Sequence, residues 1–210
     1  MSEVLFKVLI VGDATVGKTS FVQRYVHGNS RREYKPTIGV DFALKVIRKE
    51  NTTVRLQLWD IAGQERFTSM TRVYYKGAAA CVIMFDLTSQ QTFNSTIRWK
   101  QDLDSKCTLP GGKNIPCILV GNKSDLTSRP VAKETIDKVC REYSFLGWTE
   151  MSVKDDNNVS ETMDYLINEL LQNYEAQSED MMDHTDAGQG GFIQLSNQKK
   201  NPSEKRLCCD

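Results

Sequence analysis

Eight residues, Gly12-Asp13-Ala14-Thr15-Val16-Gly17-Lys18-Thr19, have the types and spacing of a phosphate-binding loop, G-x-x-x-x-G-K-[ST]. Glycine lets the backbone pass close to a phosphate, so that successive N–H groups, from Thr15 and Val16 through Ser20, can face an anion. Lys18 brings a point charge for the β and γ phosphates, and the Thr19 hydroxyl is a candidate Mg²⁺ ligand. Asp60 ends the run Leu56-Gln57-Leu58-Trp59, where a carboxylate suits the same ion. Gly63 has no Cβ, so its N–H can approach a γ-phosphate, and Gln64 beside it is the candidate that orients the attacking water. Alone, Asp60 reads equally well as a cap and Gln64 as a surface residue; a phosphate loop in the same chain favours the chemical reading.

A second constellation reads a base. In Asn122-Lys123-Ser124-Asp125, the carboxylate of Asp125 can accept from both N1–H and the 2-amino group of guanine, an arrangement adenine does not offer. Ser152-Val153-Lys154 can add a backbone N–H for guanine O6 and a lysine stem over the base. Thr37, in Tyr34-Lys35-Pro36-Thr37-Ile38-Gly39, can reach Mg²⁺ when a γ-phosphate is present, and losing that phosphate would release its loop together with the Gly63 loop.

The elements that must position these groups are legible as apolar periodicity. Strands are expected over residues 5–11, 42–49, 54–60, 80–86, 115–122 and 148–152. Four are continuous apolar runs, as when helices cover both faces of a sheet. Helices are expected over 18–25, 91–105, 133–143 and 160–174. Residues 50–52 read as a hairpin turn, which makes one edge strand antiparallel. The fold class is therefore α/β, with six strands in a mostly parallel sheet and ligands at the carboxyl ends of the strands. Past residue 174 the apolar pattern stops, and residues 175–210 read as a disordered extension.

Bulk properties exclude several classes. The 210 residues suit one domain and a tail, and 40% hydrophobic residues can fill a core. Lys+Arg and Asp+Glu both number 27, so the basic excess of a general nucleic-acid binder is missing. Met-Ser-Glu-Val does not read as a secretory leader, Ser2 leads us to expect no N-myristoyl group, and no apolar run approaches the roughly 18 residues of a membrane span. Cys81, Cys107, Cys117 and Cys140 are scattered singly and are expected to be reduced, buried thiols.

With these motifs in place, residues 4–174 resemble the Rab family of small GTPases. The marks are Ile38-Gly39-Val40-Asp41-Phe42, Leu56-Gln57-Leu58-Trp59-Asp60, Gln64-Glu65-Arg66-Phe67 and Tyr74-Tyr75-Lys76-Gly77-Ala78. Ile61 and the stretch from Trp99 to Lys106 are similar to the subgroup serving lysosome-related organelles, the trans-Golgi and endosomes. The resemblance implies the P-loop GTPase (Ras-like) fold and a GTP–Mg²⁺-binding switch that regulates vesicle traffic and hydrolyses GTP slowly until an activating protein supplies an arginine. It implies exchange factors, Rab escort and GDP-dissociation-inhibitor proteins, and trafficking effectors as partners of a monomer. Tyr34 would lie over the phosphates, and Ile38, Phe42, Trp59, Phe67 and Tyr74 would form the effector and switch surface. Ser30 stands where such proteins usually place an aromatic ring at the base.

The ending Cys208-Cys209-Asp210 resembles the double-cysteine termini that carry two geranylgeranyl chains. At about 0.8 kcal/mol per buried CH₂, two chains make the stable anchor that one does not. The expected site of action is thus the cytoplasmic face of an endosomal, lysosome-related or trans-Golgi membrane, with a cytosolic pool. Two other classes compete. A nucleotide-gated scaffold would lack hydrolysis, which Gln64 opposes; a P-loop nucleotide kinase would need a lid and an acceptor site that the sequence does not show.

Overall fold

The computed structural model describes residues 2–28, 37–49, 52–64, 71–109 and 111–183. By internal contacts the chain divides into a unit of Met1–Asn173 and a second of Tyr174–Asp210. In the first unit a six-stranded sheet runs β1 (Ser2–Gly12), β2 (Val40–Lys49), β3 (Thr52–Ile61), β4 (Ala80–Asp86), β5 (Cys117–Asn122) and β6 (Gly147–Glu150) in chain order. In space the order is β2-β3-β1-β4-β5-β6. All neighbours are parallel except the β2–β3 pair, in which Phe42 faces Trp59. The antiparallel edge and the mostly parallel remainder are as the hydrophobic pattern predicted.

Alternation along the strands fills two apolar layers. On one side Val8 and Ile10 of β1, Leu56 and Leu58 of β3 and Met84 of β4 pack with Phe21 and Tyr25 of α1 (Lys18–His27) and Met163, Leu166 and Ile167 of α5 (Val159–Asp183). On the other, Leu9, Val11, Ile83, Phe85 and Leu119 pack with Tyr75 of α2 (Thr71–Tyr75), Phe93 and Trp99 of α3 (Gln90–Lys106), and Ile136 of α4 (Lys133–Glu142). Every residue of β4 is buried, which is why that segment reads as an unbroken apolar run rather than an alternating one. At about 1.5–3 kcal/mol for each large side chain buried, these layers fix the strands whose carboxyl ends carry the polar clusters. Cys81, Cys107, Cys117 and Cys140 are buried free thiols, as expected.

The structure moves some element boundaries. β5 begins at Cys117 and not at residue 115, because Pro116 has no N–H to give the ladder. β6 ends at Glu150, short of the residue-152 limit, which frees Met151 and Ser152 to turn into the loop that carries Val153 and Lys154. The short helix α2 has no counterpart in the sequence reading. Helix α5 continues to Asp183, beyond the residue-174 limit drawn from its apolar stripe. Residues 184–210, with Cys208 and Cys209, lie outside the described residues, as do Ser30, Tyr34 and Phe67.

Candidate functional site

The chain leaves β1 to pair β3 on one side and β4 on the other, and the loop after β1 lies at that division. Gly17 caps α1 with φ 104°, a left-handed conformation in which a Cβ would lie 2.3 Å from Nδ2 of Asn122. Thr15 also has positive φ, 65°, which is a strained setting for a β-branched residue. The first N–H groups of α1 have no intrahelical acceptor and face the loop side, where a helix N-terminus favours an anion. Lys18 is 7% exposed, and its ammonium donates to the carbonyls of Gly12 and Asp13, both at 2.8 Å. Burial pulls its pKa down to about 8, against the attraction of Asp60 and Asp13.

Three oxygen-bearing side chains from distant parts of the chain meet beside Lys18. The Thr19 hydroxyl donates to Oδ2 of Asp60, and the Thr37 hydroxyl reaches the same oxygen at 3.4 Å. The two hydroxyls are 2.7 Å apart. Oδ1 of Asp60 is buried and has no hydrogen-bond partner. Burial pushes the Asp60 carboxyl above its usual range, while Thr19, Lys18 and Thr37 act the other way. A buried carboxylate with a bare oxygen and two hydroxyls at its side is a hard, all-oxygen donor set, and it fits a Mg²⁺ ion. The N–H of Ala62 donates to the carbonyl of Gly39 at 2.9 Å, which joins the Thr37 segment to the segment after Asp60. Gly63 presses on the phosphate loop, and Gln64 next to it is exposed.

The residues that the sequence marks as candidates for reading a base are organised around Asn122 and Asp125. Asn122 donates from Nδ2 to the Val16 carbonyl at 2.8 Å and accepts at Oδ1 from Val153 N–H at 3.1 Å. Its amide thus fastens the phosphate loop to the loop after β6. Ser152 donates to Oδ1 of Asp125 at 2.9 Å, and Lys154 lies 3.5 Å from Oδ2. Burial opposes the charge on Asp125, but these bonds and its own backbone N–H hold the carboxyl below its usual range. Lys123 has φ 69°, and its ammonium lies 2.6 Å from Oδ2 of Asp86. Asp86 ends β4 and also accepts from the Thr88 N–H and hydroxyl. It was missed in the sequence, although the signal was present: it closes an apolar strand as Asp60 does. Trp99 was missed likewise; its Nε1 donates to Asp13 at 3.0 Å and ties α3 to the phosphate loop.

Of the surface residues singled out in the sequence, Ile38 is 92% and Phe42 58% exposed. The rings of Phe42 and Trp59 are 6.3 Å apart, and the Lys7 ammonium sits 3.7 Å from the centre of the Trp59 ring. Trp59 and Tyr74 are half-buried against the second apolar layer. Ser20 is half-buried in the first turn of α1.

Fold and site together define a nucleoside-triphosphate-binding protein with the chemistry of a P-loop GTPase, and residues 7–172 match the model of the Ras family. The chain is 53% identical over 206 residues to Ras-related protein Rab-7L1 of Rattus norvegicus and to that of Homo sapiens, spanning 98% of this chain and 97% of each relative. It is 48% identical over 176 residues to Ras-related protein Rab-32 of Homo sapiens, spanning 83% of this chain and 78% of that one. The chain belongs to the Ras family and, within it, to the Rab small GTPases that include Rab-7L1 and Rab-32. It is a GTP hydrolase and a GTP/GDP switch that regulates vesicle traffic at endomembranes. Proteins of this family use GTP with Mg²⁺ and work with exchange factors, activating proteins, dissociation inhibitors and effectors. Among the described residues no helix is long and apolar enough to cross a membrane.

Proposed function

We propose that this site binds guanosine triphosphate across the strand ends, with the triphosphate at residues 15–20 and the base at Asp125. The observation that carries the reading is the meeting of Thr19, Thr37 and Asp60, with one carboxylate oxygen bare, next to the Lys18 ammonium. Thr19, Thr37 and Asp60 hold Mg²⁺, whose chemistry there is to neutralise phosphate charge. Lys18, the loop N–H groups and Gly63 N–H stabilise charge that grows on the γ-phosphoryl oxygens, and Gln64 holds the attacking water in line. Asn122 and Lys123 support the base site, Asp125 takes the two guanine donors, and Ser152, Val153 and Lys154 complete it. Tyr34 covers the phosphates.

Because Thr37 is tied to Asp60 and Gly39 to Ala62, a third phosphate and its ion would hold both loops at once. Ile38, Phe42, Trp59, Phe67 and Tyr74 then form the surface that effectors read. Residues 1–174 act as the switch domain. Residues 175–210 act as a tether whose Cys208 and Cys209 carry two prenyl chains, on the cytoplasmic face of endosomal, lysosome-related or trans-Golgi membranes.

Two expectations test these roles. Gln64→Leu should slow single-turnover hydrolysis on the order of 10–10²-fold, through misplacement of the water, while GTP affinity stays near wild type. An unchanged rate would remove Gln64 from the chemistry. The second concerns pH. Lys18 titrates at about 8 in the protein alone. Anionic phosphate beside it raises that value, so binding above pH 8 takes up a proton. GDP affinity should therefore be flat below pH 7 and weaken about tenfold between pH 7 and 9. Lys18→Ala, which keeps the titration of the base itself, should bind weakly and lose most of this slope. Equal slopes in calorimetric titrations of the two proteins would refute the assignment.

A further inference from the structure

We infer that Arg24 is a positioning residue for nucleotide retention, one guanidinium that ties the loop reading the base to the helix holding the phosphates. The inference rests on the base-reading role proposed above for Asp125 and residues 152–154. Arg24 lies half-buried in the last turn of α1. Its Nε donates to the Val153 carbonyl at 3.1 Å and one terminal nitrogen to the Lys154 carbonyl at 3.2 Å. The other terminal nitrogen donates to the Gly28 carbonyl at 3.1 Å. A planar fork with fixed donors can serve three carbonyls at once, which a lysine ammonium on a flexible stem cannot do with the same geometry.

The consequence lies in what those carbonyls belong to. Residue 153 is held from both sides: Arg24 takes its carbonyl, and Asn122, itself bonded to Val16 in the phosphate loop, takes its N–H. The preceding residue, Ser152, donates to the Asp125 carboxylate, and its own hydroxyl accepts from Asp155 N–H at 3.1 Å. A contact chain thus runs from α1 through Arg24 and the 152–154 loop to the carboxylate that meets guanine. Gly28, at φ 71°, is the left-handed cap of α1 and the last described residue before the segment that brings in Thr37. The same guanidinium therefore also holds the helix end from which that segment departs. Arg24 touches none of Lys18, Thr19, Asp60 and Gln64 through these bonds, so its loss should act on retention of the nucleotide and its base rather than on bond cleavage.

The test uses full-length wild-type, Arg24→Ala and Arg24→Lys proteins loaded with fluorescent GDP or fluorescent inosine diphosphate, which lacks the 2-amino group. Release is timed in excess Mg²⁺, and single-turnover cleavage of bound GTP is followed in parallel. Arg24→Ala should release GDP about tenfold faster or more, the effect of losing one charge-assisted hydrogen bond or several. The difference between GDP and inosine diphosphate should narrow, because Asp125 loses its support, while cleavage stays within about twofold. Arg24→Lys should fall between wild type and alanine. Release at the wild-type rate, or equal acceleration for both nucleotides with the difference intact, would overturn the inference in favour of general loosening. Should the alanine variant not fold, wild-type release by Arg24→Lys overturns it as well. A wild-type protein with no preference for GDP would instead overturn the base-reading role on which the inference stands.

Discussion

Asp125→Asn is expected to lower GTP and GDP affinity by about 10²–10⁴-fold, the loss of two charge-assisted hydrogen bonds at roughly 1.5–3 kcal/mol each. The amide keeps one acceptor but turns an N–H₂ donor toward a base that also donates at that edge. Xanthine carries a carbonyl where guanine carries the amine, so the variant should recover affinity for xanthosine nucleotides while it loses guanosine ones. That exchange of preference separates a base-reading carboxylate from a structural one. Asp125 is bonded to Ser152 and Lys154, so a purely structural role would weaken every nucleotide alike. Competition binding with guanosine, xanthosine and adenosine triphosphates decides the matter, and a uniform loss would contradict the assignment.

Gly63→Ala is the second large effect. A Cβ built on Gly63 would lie 2.2 Å from the Ala14 nitrogen and 2.6 Å from the Asp13 carbonyl carbon. Both neighbours are backbone of the phosphate loop, so no side-chain rotation can relieve the clash. The loop after Asp60 must back away, and with it go the Gly63 N–H and Gln64. Loss of one pre-aligned donor to the transition state costs about 10²–10³-fold in rate. The variant should therefore bind GDP normally, fold normally, and hydrolyse GTP more slowly by that factor. Phosphate release under single-turnover conditions gives the rate, and thermal melting of the GDP-bound form controls for folding. A near-wild-type rate would mean that the close approach of Gly63 to Ala14 has no part in the reaction.

How far the sequence reveals this molecule depends on whether a signal is local or assembled. The phosphate loop and β1 are legible because a largely apolar stretch, broken only at Lys7, and a fixed spacing sit side by side in the sequence. Asp60, Asn122 and Asp125 are legible because each closes or follows a buried strand. The donor set of Thr19, Thr37 and Asp60 could be anticipated as three separate residues, but their mutual hydrogen bonds need two strand pairings: β2–β3, which brings Asp41 opposite Asp60, and β1–β3, which sets Ile10 opposite Asp60 just before the loop that leads to Thr19.

The contacts of Arg24 and Trp99 were invisible for the opposite reason. Each looks like an ordinary helix residue, and its partners, Val153 and Asp13, are far away in the chain. Helix α2 is too short for any periodicity to show, and its Val73, Tyr74 and Tyr75 favour strand as much as helix. The continuation of α5 past residue 174 has no apolar stripe to announce it: residues 172–176 are exposed. Glu175, Ala176 and Gln177 are good helix formers, a propensity that favours the extension without an apolar stripe.

Phe42 and Trp59 show how residue type alone can mislead. Trp59 is apolar by type, yet it lies only half-buried, with a lysine ammonium over its ring and an indole N–H that has no partner. Phe42, its cross-strand neighbour on the sheet's edge strand, is largely exposed. Apolar groups left uncovered on an edge strand and beside it are costly in a molecule with no use for them, and they are where a partner protein would gain most from burial.

A third phosphate is expected to hold the Thr37 and Gly63 loops together on a guanosine nucleotide. Hydrogen exchange of the purified full chain tests it most directly, with the protein loaded with GDP, with a non-hydrolysable GTP analogue, or incubated with the corresponding ATP analogue. Exchange should slow at residues 37–39 and 62–63 with the GTP analogue alone, including the Ala62 N–H that bonds to Gly39. Identical exchange with GDP and the GTP analogue, or equal protection by the ATP analogue, would contradict it.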